Sequence, residues 1–307
     1  MAISPLNLIS TPLPILNSLG LRLRVGLSSE DPMVTRHLSE QYDVFLTTYS
    51  PEGVQIERSR IGTIAPERRK FFEISELTNT LVKDQDHLAV IHRVPSRLVS
   101  PDKNIEDELE IPDGYDYSLF RSLVEYSYPG GGNGSVIYET PPEFNSGRTG
   151  QKSSNSLTFT CQTILSDYLD SHLIIINHSI NHSYRNIAEY TFALHSLSGE
   201  RVFVDKTTIG PFGIRVLNLR NLLPNKVIEN AKDPKDGLSS FTFMGYSDNA
   251  ALLFMVVNTA PSLKSVAVEH THPPQTYLLP GDMEKQRSVK VTAINKWKAI
   301  LSSKGAY

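Results

Sequence analysis

The chain has 307 residues, of which 39% are hydrophobic and 21% are charged, and its formal net charge is −3. This balance excludes a largely disordered chain, and it argues against a general nucleic-acid binder, whose affinity depends on many Lys and Arg side chains. The single cysteine, Cys161, excludes an internal disulfide bond and a cysteine-rich metal site. The length exceeds that of most single hydrophobic cores and therefore favours two domains.

The N-terminal segment, residues 1–20, is apolar but lacks the features of a secretory signal. It contains no Lys or Arg, and Pro5, Pro12 and Pro14 interrupt its apolar residues. No window of the chain reaches the length of about 18 uninterrupted apolar residues that a membrane-spanning helix requires. We therefore predict a soluble, cytoplasmic protein without a membrane span.

The first half of the chain is predicted to form β-strands, because apolar residues alternate over short runs bounded by Gly, Pro, Asn, Asp and Ser. A strand at 45–49 leads into a hairpin turn at 50–53. Residues 98–117, rich in Asp, Glu and Pro, are predicted to form a long exposed loop, and residues 129–134 a glycine-rich hairpin loop. We assign residues 1–145 to a first β-sandwich module.

The middle of the chain contains a polar segment, residues 146–156, which is predicted to be a linker because it has nothing to bury. After it, three runs lack polar alternation and are predicted to be buried central strands. These runs are residues 173–176, 251–257 and 265–269. We assign residues 157–282 to a second β-sandwich module.

The C-terminal segment carries the clearest helical pattern in the chain. Apolar residues recur at three- and four-residue spacing, as on one face of an amphipathic helix, at Val291, Ile294, Trp297 and Ile300. Asp282 is suited to cap the N-terminus of such a helix. The sequence predicts one short amphipathic helix at residues 283–303.

The two halves of the chain repeat each other in order and spacing. A strand-and-turn pattern recurs after 146 residues, and a run of apolar residues at matching positions recurs after 145 residues. The matched turns are 50–53 and 196–199, and the matched runs are 72–77 and 217–222. Residues 135–139 further match 265–269, while a competing register pairs 88–92 with 266–270. Either register predicts an internal tandem duplication of one β-sandwich unit.

Three segments are pieces of one pattern, in which a strand ending in an Asn turn is followed by alternating strands and a proline-led, Arg-rich strand entry. They are residues 173–178, 65–74 and 268–271. The pattern resembles the small β-sandwich proteins typified by the cyanobacterial sensory rhodopsin transducer, and it is similar to immunoglobulin-like modules as well. The resemblance implies a soluble sandwich that binds a ligand or a partner, and it implies no catalytic residue.

Histidines are the main candidates for functional side chains in the second module. His270 and His272 share one side of an extended strand, and such a pair can bind one divalent metal ion. Glu269 is a third candidate ligand, and His178 could supply a further nitrogen from a neighbouring strand. The Pro-Pro pair after His272 favours the alternative, in which these histidines are hydrogen-bonding residues at a strand end and the protein has no cofactor.

Tyrosines are concentrated in the first module. Tyr126, Tyr128 and Tyr138 could form a face on which sugar rings stack, which would make the protein a carbohydrate-binding module. The same tyrosines could equally lie in the core or in an interface. The sequence does not rank these alternatives.

The motifs of catalysis are absent from the sequence. It contains no Gly-x-Ser-x-Gly motif, and the glycine-rich run at 129–134 lacks the Lys-Ser/Thr ending of a phosphate-binding loop. We predict a non-catalytic binding, adaptor or assembly protein that uses sandwich edges and loops to contact a protein partner or a second copy of itself. The alternatives are a metal-dependent enzyme with the His-x-His site and a carbohydrate-binding module.

Overall fold

The computed structural model describes residues 2–28, 40–78, 81–99, 104–107, 109–110, 122–138, 156–179, 183–250, 252–270 and 283–302. These residues form an all-β protein of antiparallel sheets with one longer helix at the C-terminus. The predicted fold class is therefore confirmed. Module 1 denotes the described residues up to 138, and module 2 denotes those from 156 to 270.

The strands of module 1 are short and are separated by turns. They are β1 (Ala2–Ile3), β2 (Ser10–Ile15), β3 (Arg22–Ser28), β4 (Tyr42–Tyr49), β5 (Gln55–Ile64), β6 (Arg69–Glu73), β7 (His87–Pro95), β8 (Leu109–Glu110), β9 (Ser122–Ser127) and β10 (Asn133–Tyr138). One helical turn, α1 (Ile74–Leu77), follows β6. The two-residue strands β1 and β8 pair only with each other.

The strands of module 2 follow the same course. They are β11 (Ser156–Leu165), β12 (Asp170–Asn177), β13 (Ala188–Ser196), β14 (Arg201–Ile209), β15 (Gly213–Asn218), β16 (Ser239–Ser247), β17 (Leu252–Ala260) and β18 (Ser265–His270). Two short helices, α2 (Leu219–Leu222) and α3 (Asn225–Asn230), lie between β15 and β16. The C-terminal helix α4 (Met283–Ser302) begins where the periodicity predicts it.

Each module contains two four-stranded sheets, and the strand order is the same in both modules. Module 1 has sheet I, with the order β2-β7-β4-β5, and sheet II, with the order β10-β9-β3-β6. Module 2 has sheet III, with the order β15-β12-β17-β18, and sheet IV, with the order β11-β16-β13-β14. With β1 and β8 left out, the strands of module 1 correspond in chain order to those of module 2, from β2 with β11 to β10 with β18. Under this correspondence sheet I has the strand order of sheet IV, and sheet II has the order of sheet III read in reverse.

The four sheets are stacked in the order II, I, III, IV. One apolar core fills the space between sheets I and II and continues between sheet I and one face of sheet III. A second core lies between the other face of sheet III and sheet IV. Sheets I and III are thus covered on both faces. This explains why β7, β12 and β17 lack polar alternation, whereas the outer strands β9 and β16 alternate between buried and half-exposed residues.

Strand β2 is an edge strand that is nevertheless buried along its whole length. Of the strands that the structure describes, β7 is the one that pairs with it, and it contains Pro12 and Pro14, which cannot donate to a second neighbour. The edge strands β10 and β18 of sheets II and III approach each other beside it, and the Gly132 amide donates to the Lys264 carbonyl oxygen at 2.9 Å. The apolar N-terminal segment is therefore a core strand enclosed by both modules.

Four predictions about local structure need correction or fall outside the described residues. The apolar run at 72–77 predicts a continuing strand, but the chain turns into helix α1 at Ile74; its counterpart α2 begins where the Asn218 side chain accepts from two backbone amides. The predicted linker 146–156 lies outside the described residues except for Ser156, which begins β11. Most of the predicted loop at 98–117 and the Asp282 cap also lie outside them.

Candidate functional site

The candidate metal ligands of the second module lie only partly within the described residues. Glu269 lies on β18 of sheet III, directly before His270. Glu269 is directed towards sheet IV, where the Thr160 hydroxyl donates to its carboxylate at 3.2 Å and burial raises its pKa. The side chain of His270 and the whole of His272 lie outside the described residues.

His178 lies on another part of sheet III. His270 is level with Ile174 across β17, and His178 comes four residues later along β12. Two strand spacings and four residues of rise place the Cα atoms of His178 and His270 about 16 Å apart. Among the described residues there is no group of three His, Cys, Asp or Glu side chains that could hold a metal ion.

The candidate sugar-binding tyrosines also occupy different environments. Tyr126 is fully buried in the core, and its hydroxyl donates to the Pro14 carbonyl oxygen at 2.6 Å, so its ring is not available for stacking on a ligand. Tyr128 is half-buried, and its hydroxyl bonds to Thr259 of module 2. The side chain of Tyr138 lies outside the described residues. Of the two alternatives that the sequence leaves open, the core position is the one observed for Tyr126.

The residues that the fold does bring together lie in the inter-module layer, the space between sheets I and III. His92 of β7 is buried there, and its Nδ1 atom lies 2.6 Å from the Leu6 carbonyl oxygen, which can only accept, so Nδ1 carries the proton. The Nε2 atom is then an acceptor, and the Thr47 hydroxyl donates a hydrogen bond to it at 3.0 Å. The Nε atom of Arg58 donates in turn to the Thr47 oxygen at 3.0 Å. This chain of bonds requires a neutral His92, and burial lowers the pKa of that histidine to about 3.

Arg58 links this buried chain to the surface of module 1. Its guanidinium forms an ion pair with Glu106, which is exposed, and donates to the Gln55 side-chain oxygen at 3.2 Å. It also bonds to the Tyr49 hydroxyl, whose pKa is raised by burial against the opposing effect of the Arg58 charge. With the bond to Thr47, the arginine is thus fixed by four side chains of its own module.

Aromatic rings from both modules pack beside the polar chain. The Tyr49 ring stacks on Phe212 of module 2 with a centroid distance of 5.1 Å. Two further residues of module 2, His178 and Tyr184, meet the Phe212 ring edge-on at 5.9 Å and 6.1 Å. His178 is buried and close enough to lower the pKa of His92, and burial lowers its own pKa to about 3. The two histidines therefore approach each other across the layer.

The end of β12 is fixed by the side chain of Asn177. Its amide nitrogen donates to the carbonyl oxygens of Asn186, Ile209 and Gly210 at 2.9 to 3.0 Å. Its amide oxygen accepts from the Tyr184 hydroxyl at 2.8 Å. Asn177 thereby holds the segment before β15 in position against module 1.

A second polar group lies elsewhere in the inter-module layer. His172 of β12 is buried, and its Nε2 atom lies 2.9 Å from the Thr259 hydroxyl, which also bonds to Tyr128 of module 1. Asp170, two residues earlier on the same strand face, is paired with Arg220 at 2.6 Å. Burial lowers the pKa of His172 to about 4, against the opposing effect of Asp170.

Backbone contacts complete the interface. The β4–β5 turn of module 1 lies against the segment before β15, and the Ile214 amide donates to the Pro51 carbonyl oxygen at 3.0 Å. A Cβ atom on Gly53 would collide with the Pro211 carbonyl oxygen, and one on Gly210 would collide with that of Glu52. The two modules are therefore interlocked by turns that only glycine allows to approach so closely.

Sequence reasoning missed this layer almost entirely. It singled out His178, but for a different site, and it assigned no role to His92, His172 or Arg58. The available signal was the absence of polar alternation in β7 and β12, which shows that both faces are covered. A buried strand that carries a histidine then implies a polar partner across that layer.

The described part of the layer is a buried network of hydrogen bonds, in which the Nδ1 atoms of His172 and His178 have no partner among the described residues. Its hydroxyl groups bond to histidine, arginine or tyrosine, and no strained or exposed nucleophile lies among them. No helix among the described residues has the length and apolar character needed to cross a lipid bilayer. The chemistry that this arrangement supports is the joining of two modules.

Comparison with known proteins gives no family assignment. No family model matches the chain, and no curated protein matches it. Among solved structures, a β-glucuronidase from glycoside hydrolase family 2 matches with 10% identity and a TM-score of 0.18, over 85% of this chain and 23% of that one. A putative β-galactosidase from Bacteroides fragilis matches with 9% identity and a TM-score of 0.19, over 88% of this chain and 35% of that one.

A β-glucuronidase from Bacteroides uniformis gives a similar result, with 8% identity and a TM-score of 0.18, over 85% of this chain and 25% of that one. This chain spans between about a quarter and a third of the length of these structures. Superpositions with such TM-scores carry no argument about activity.

Proposed function

We propose that this chain is a non-catalytic binding or assembly protein whose recognition surface is the β13–β14 hairpin of module 2. The observation that supports this most is the exposure of apolar side chains on that hairpin. Its tip residue Leu197 is 77% exposed, and Val204 on β14 is 37% exposed. Apolar side chains on an exposed hairpin and edge strand are typical of surfaces that pair with another protein.

Strand β14 offers backbone groups as well as side chains. It pairs with β13 on one side, and no described strand pairs with its other side. Asp205 and Lys206 interrupt its apolar residues. Such charges oppose non-specific aggregation of an edge strand but still allow a specific partner strand to pair with it. An extended segment of a partner protein could therefore add to sheet IV by β-augmentation.

We also infer that the two modules descend from one duplicated unit. The common strand order supports this, and so do the two hairpin turns. In each turn the glycine amide donates to a serine carbonyl oxygen at 2.9 Å, from Gly53 to Ser50 and from Gly199 to Ser196. After such a duplication, the β4–β5 hairpin of module 1 contacts module 2, and the equivalent β13–β14 hairpin can contact a partner.

The experiment that tests the binding surface is site-specific photo-crosslinking in extracts of the cells that produce the protein. A photoreactive amino acid at Val204 is expected to capture a partner, or a second copy of the chain. The matched control places the same group at Leu263, which is 66% exposed but lies in a turn of module 2 away from β14. Equal products from both positions, or no product from position 204, would reject the proposed surface.

Neither alternative from the sequence analysis is favoured by a specific observation on the described residues. The metal site of Glu269, His270, His272 and His178 stays a prediction from the sequence. In a carbohydrate site of Tyr126, Tyr128 and Tyr138, the buried Tyr126 could act only from within the core. The cytoplasmic location stays a prediction from the sequence.

A further inference from the structure

Three buried histidines lie in the inter-module layer and come from both modules. His92 belongs to β7 of module 1, His172 belongs to β12 of module 2, and His178 follows the end of β12. Each of them is at least nine-tenths buried. By contrast, no described histidine lies between sheets III and IV, because His195 is on the outer face of sheet IV, opposite to its neighbour Leu194 in the core.

The hydrogen bonds of this layer require neutral imidazole rings. If His92 gained a proton, both of its ring nitrogens would donate, and the Thr47 hydroxyl would have to accept from His92 and Arg58 together. The Thr47 proton would then lose its acceptor. The Nδ1 atoms of His172 and His178 have no hydrogen-bond partner within the described part of the chain, so a charge on either ring would also be poorly solvated.

The charged and titratable groups around these rings do not provide a free counter-charge. Around His92 they are Arg58, Tyr49 and His178, with Glu106 already paired to Arg58. Around His172 they are Tyr128 and Asp170, and Asp170 is paired to Arg220. Around His178 they are His92 and, beyond the Phe212 ring, Tyr184. Protonation would therefore add positive charges to a layer that already contains Arg58.

We propose that the inter-module layer is an acid-sensitive joint, in which protonation of His92, His172 and His178 separates module 1 from module 2 before module 2 unfolds. Separation would let water reach the charged rings. The core between sheets III and IV would persist, because the described residues within it include no histidine. The joint does not depend on the proposed binding role of the β13–β14 hairpin.

The direction of the pH dependence follows from the protonation states. Burial lowers the pKa of His92 and His178 to about 3 and that of His172 to about 4 in the closed form. In the separated form the rings are solvated and titrate near the ordinary value of about 6.5. Closed and separated forms therefore bind protons equally above that value. The closed form loses stability as the pH falls from about 6.5 towards 3 to 4.

The test measures the distance between the modules and the secondary structure in the same titration. The full chain would carry Cys161→Ser and dyes at Leu77→Cys in module 1 and Leu197→Cys in module 2, both exposed positions. Energy transfer between the dyes and far-UV circular dichroism would be followed from pH 8 to pH 3. We expect energy transfer to fall at a higher pH than the loss of β-signal.

The histidine variants decide whether these rings cause the change. His178→Phe removes a titrating ring whose Nδ1 atom has no partner among the described residues, and it keeps an aromatic contact with Phe212. We expect its transition in energy transfer to move to lower pH by about half a unit or more, because fewer protons drive separation. His195→Phe, outside the layer, is the matched control and is expected to leave the transition unchanged. If His178→Phe fails to fold, His172→Gln, which can still bond to Thr259, is expected to give the same shift.

Two results would overturn the proposal. One is a simultaneous loss of energy transfer and β-signal in the wild-type chain, which would show that the modules unfold as one unit. The other is an unchanged transition in the folded His178→Phe or His172→Gln variant. That result would show that acid acts through other groups.

Discussion

The β4–β5 and β13–β14 hairpins occupy equivalent positions in the two modules, yet only one of them is engaged. Their turns have the same hydrogen bonds, and Gly53 and Gly199 have positive φ angles of 92° and 87°. The first turn is pressed against the segment before β15, whereas a Cβ atom on Gly199 would meet no atom within 4 Å. The difference teaches that local sequence sets the shape of a hairpin, while its position in the stack decides what the hairpin does.

The largest expected contrast is between the two turn glycines. Gly53→Ala should lower the free energy of unfolding by about 3 to 4 kcal/mol, because the methyl group strains a positive φ angle and collides with Pro211. Gly199→Ala should lower it by only about 1 kcal/mol, since strain alone remains. Urea denaturation of both variants checks this. Equal losses would mean that the β4–β5 turn can move away from Pro211 without a loss of stability, so that the contact between the modules is not rigid there.

The next contrast concerns the residues just before the turns, Tyr49 and His195. Tyr49→Ala removes the stacking on Phe212 and opens a cavity in the inter-module layer, so we expect a loss of about 3 kcal/mol. His195→Ala affects a half-exposed side chain and should cost less than about 0.5 kcal/mol. Thermal unfolding at fixed pH compares the two. A loss of similar size at both positions would contradict the assignment of the layer as the main contact of this hairpin.

A smaller effect is expected at the support beneath the docking segment. Asn177→Ala leaves the carbonyl oxygens of Ile209 and Gly210 without this donor, which should cost about 2 kcal/mol. Asn221→Ala, an exposed position in α2, serves as the control and should be nearly neutral. Hydrogen exchange should show faster exchange at the Ile214 amide in the first variant alone. Unchanged exchange there would show that the segment does not depend on Asn177.

The smallest effect on stability is expected at the free edge. Val204→Lys changes an exposed side chain, and the free energy of unfolding should stay within about 0.5 kcal/mol of the wild type. Binding of a partner captured from position 204 should nevertheless fall, since charged residues on an edge strand oppose pairing. Sedimentation velocity with the purified partner measures this. Retained binding in a folded Val204→Lys variant would remove β14 from the proposed surface.

Much of the fold could be predicted from particular residues. The alternation in the first half indicates strands, the turns at 50–53 and 196–199 can be located from their residues, and the periodicity of Ile294 and Trp297 indicates α4. These two side chains do pack on Leu157 of sheet IV. Such features depend on neighbours within a few positions along the chain, which is the range in which strand and helix periods operate.

The candidate sites were less predictable, because they depend on which faces meet. Glu269 is directed towards Thr160 of sheet IV, and Tyr126 is polar at its tip but buried along its ring. His92 and His178 are far apart in sequence and approach each other in the stack. No spacing within the chain contains that information.

The sequence by itself determined that this protein is all-β, that its halves share one pattern, and where its last helix begins. Those properties follow from periodicity and turn chemistry, which act over short stretches of chain. Only the tertiary structure decided that sheets I and III face each other and that three histidines are buried in the layer. It also decided that the β4–β5 turn contacts the other module, while no contact of the β13–β14 turn with module 1 is found among the described residues. The physical reason is that a side chain is buried only when another part of the chain covers it, and which parts meet depends on contacts between residues far apart in sequence.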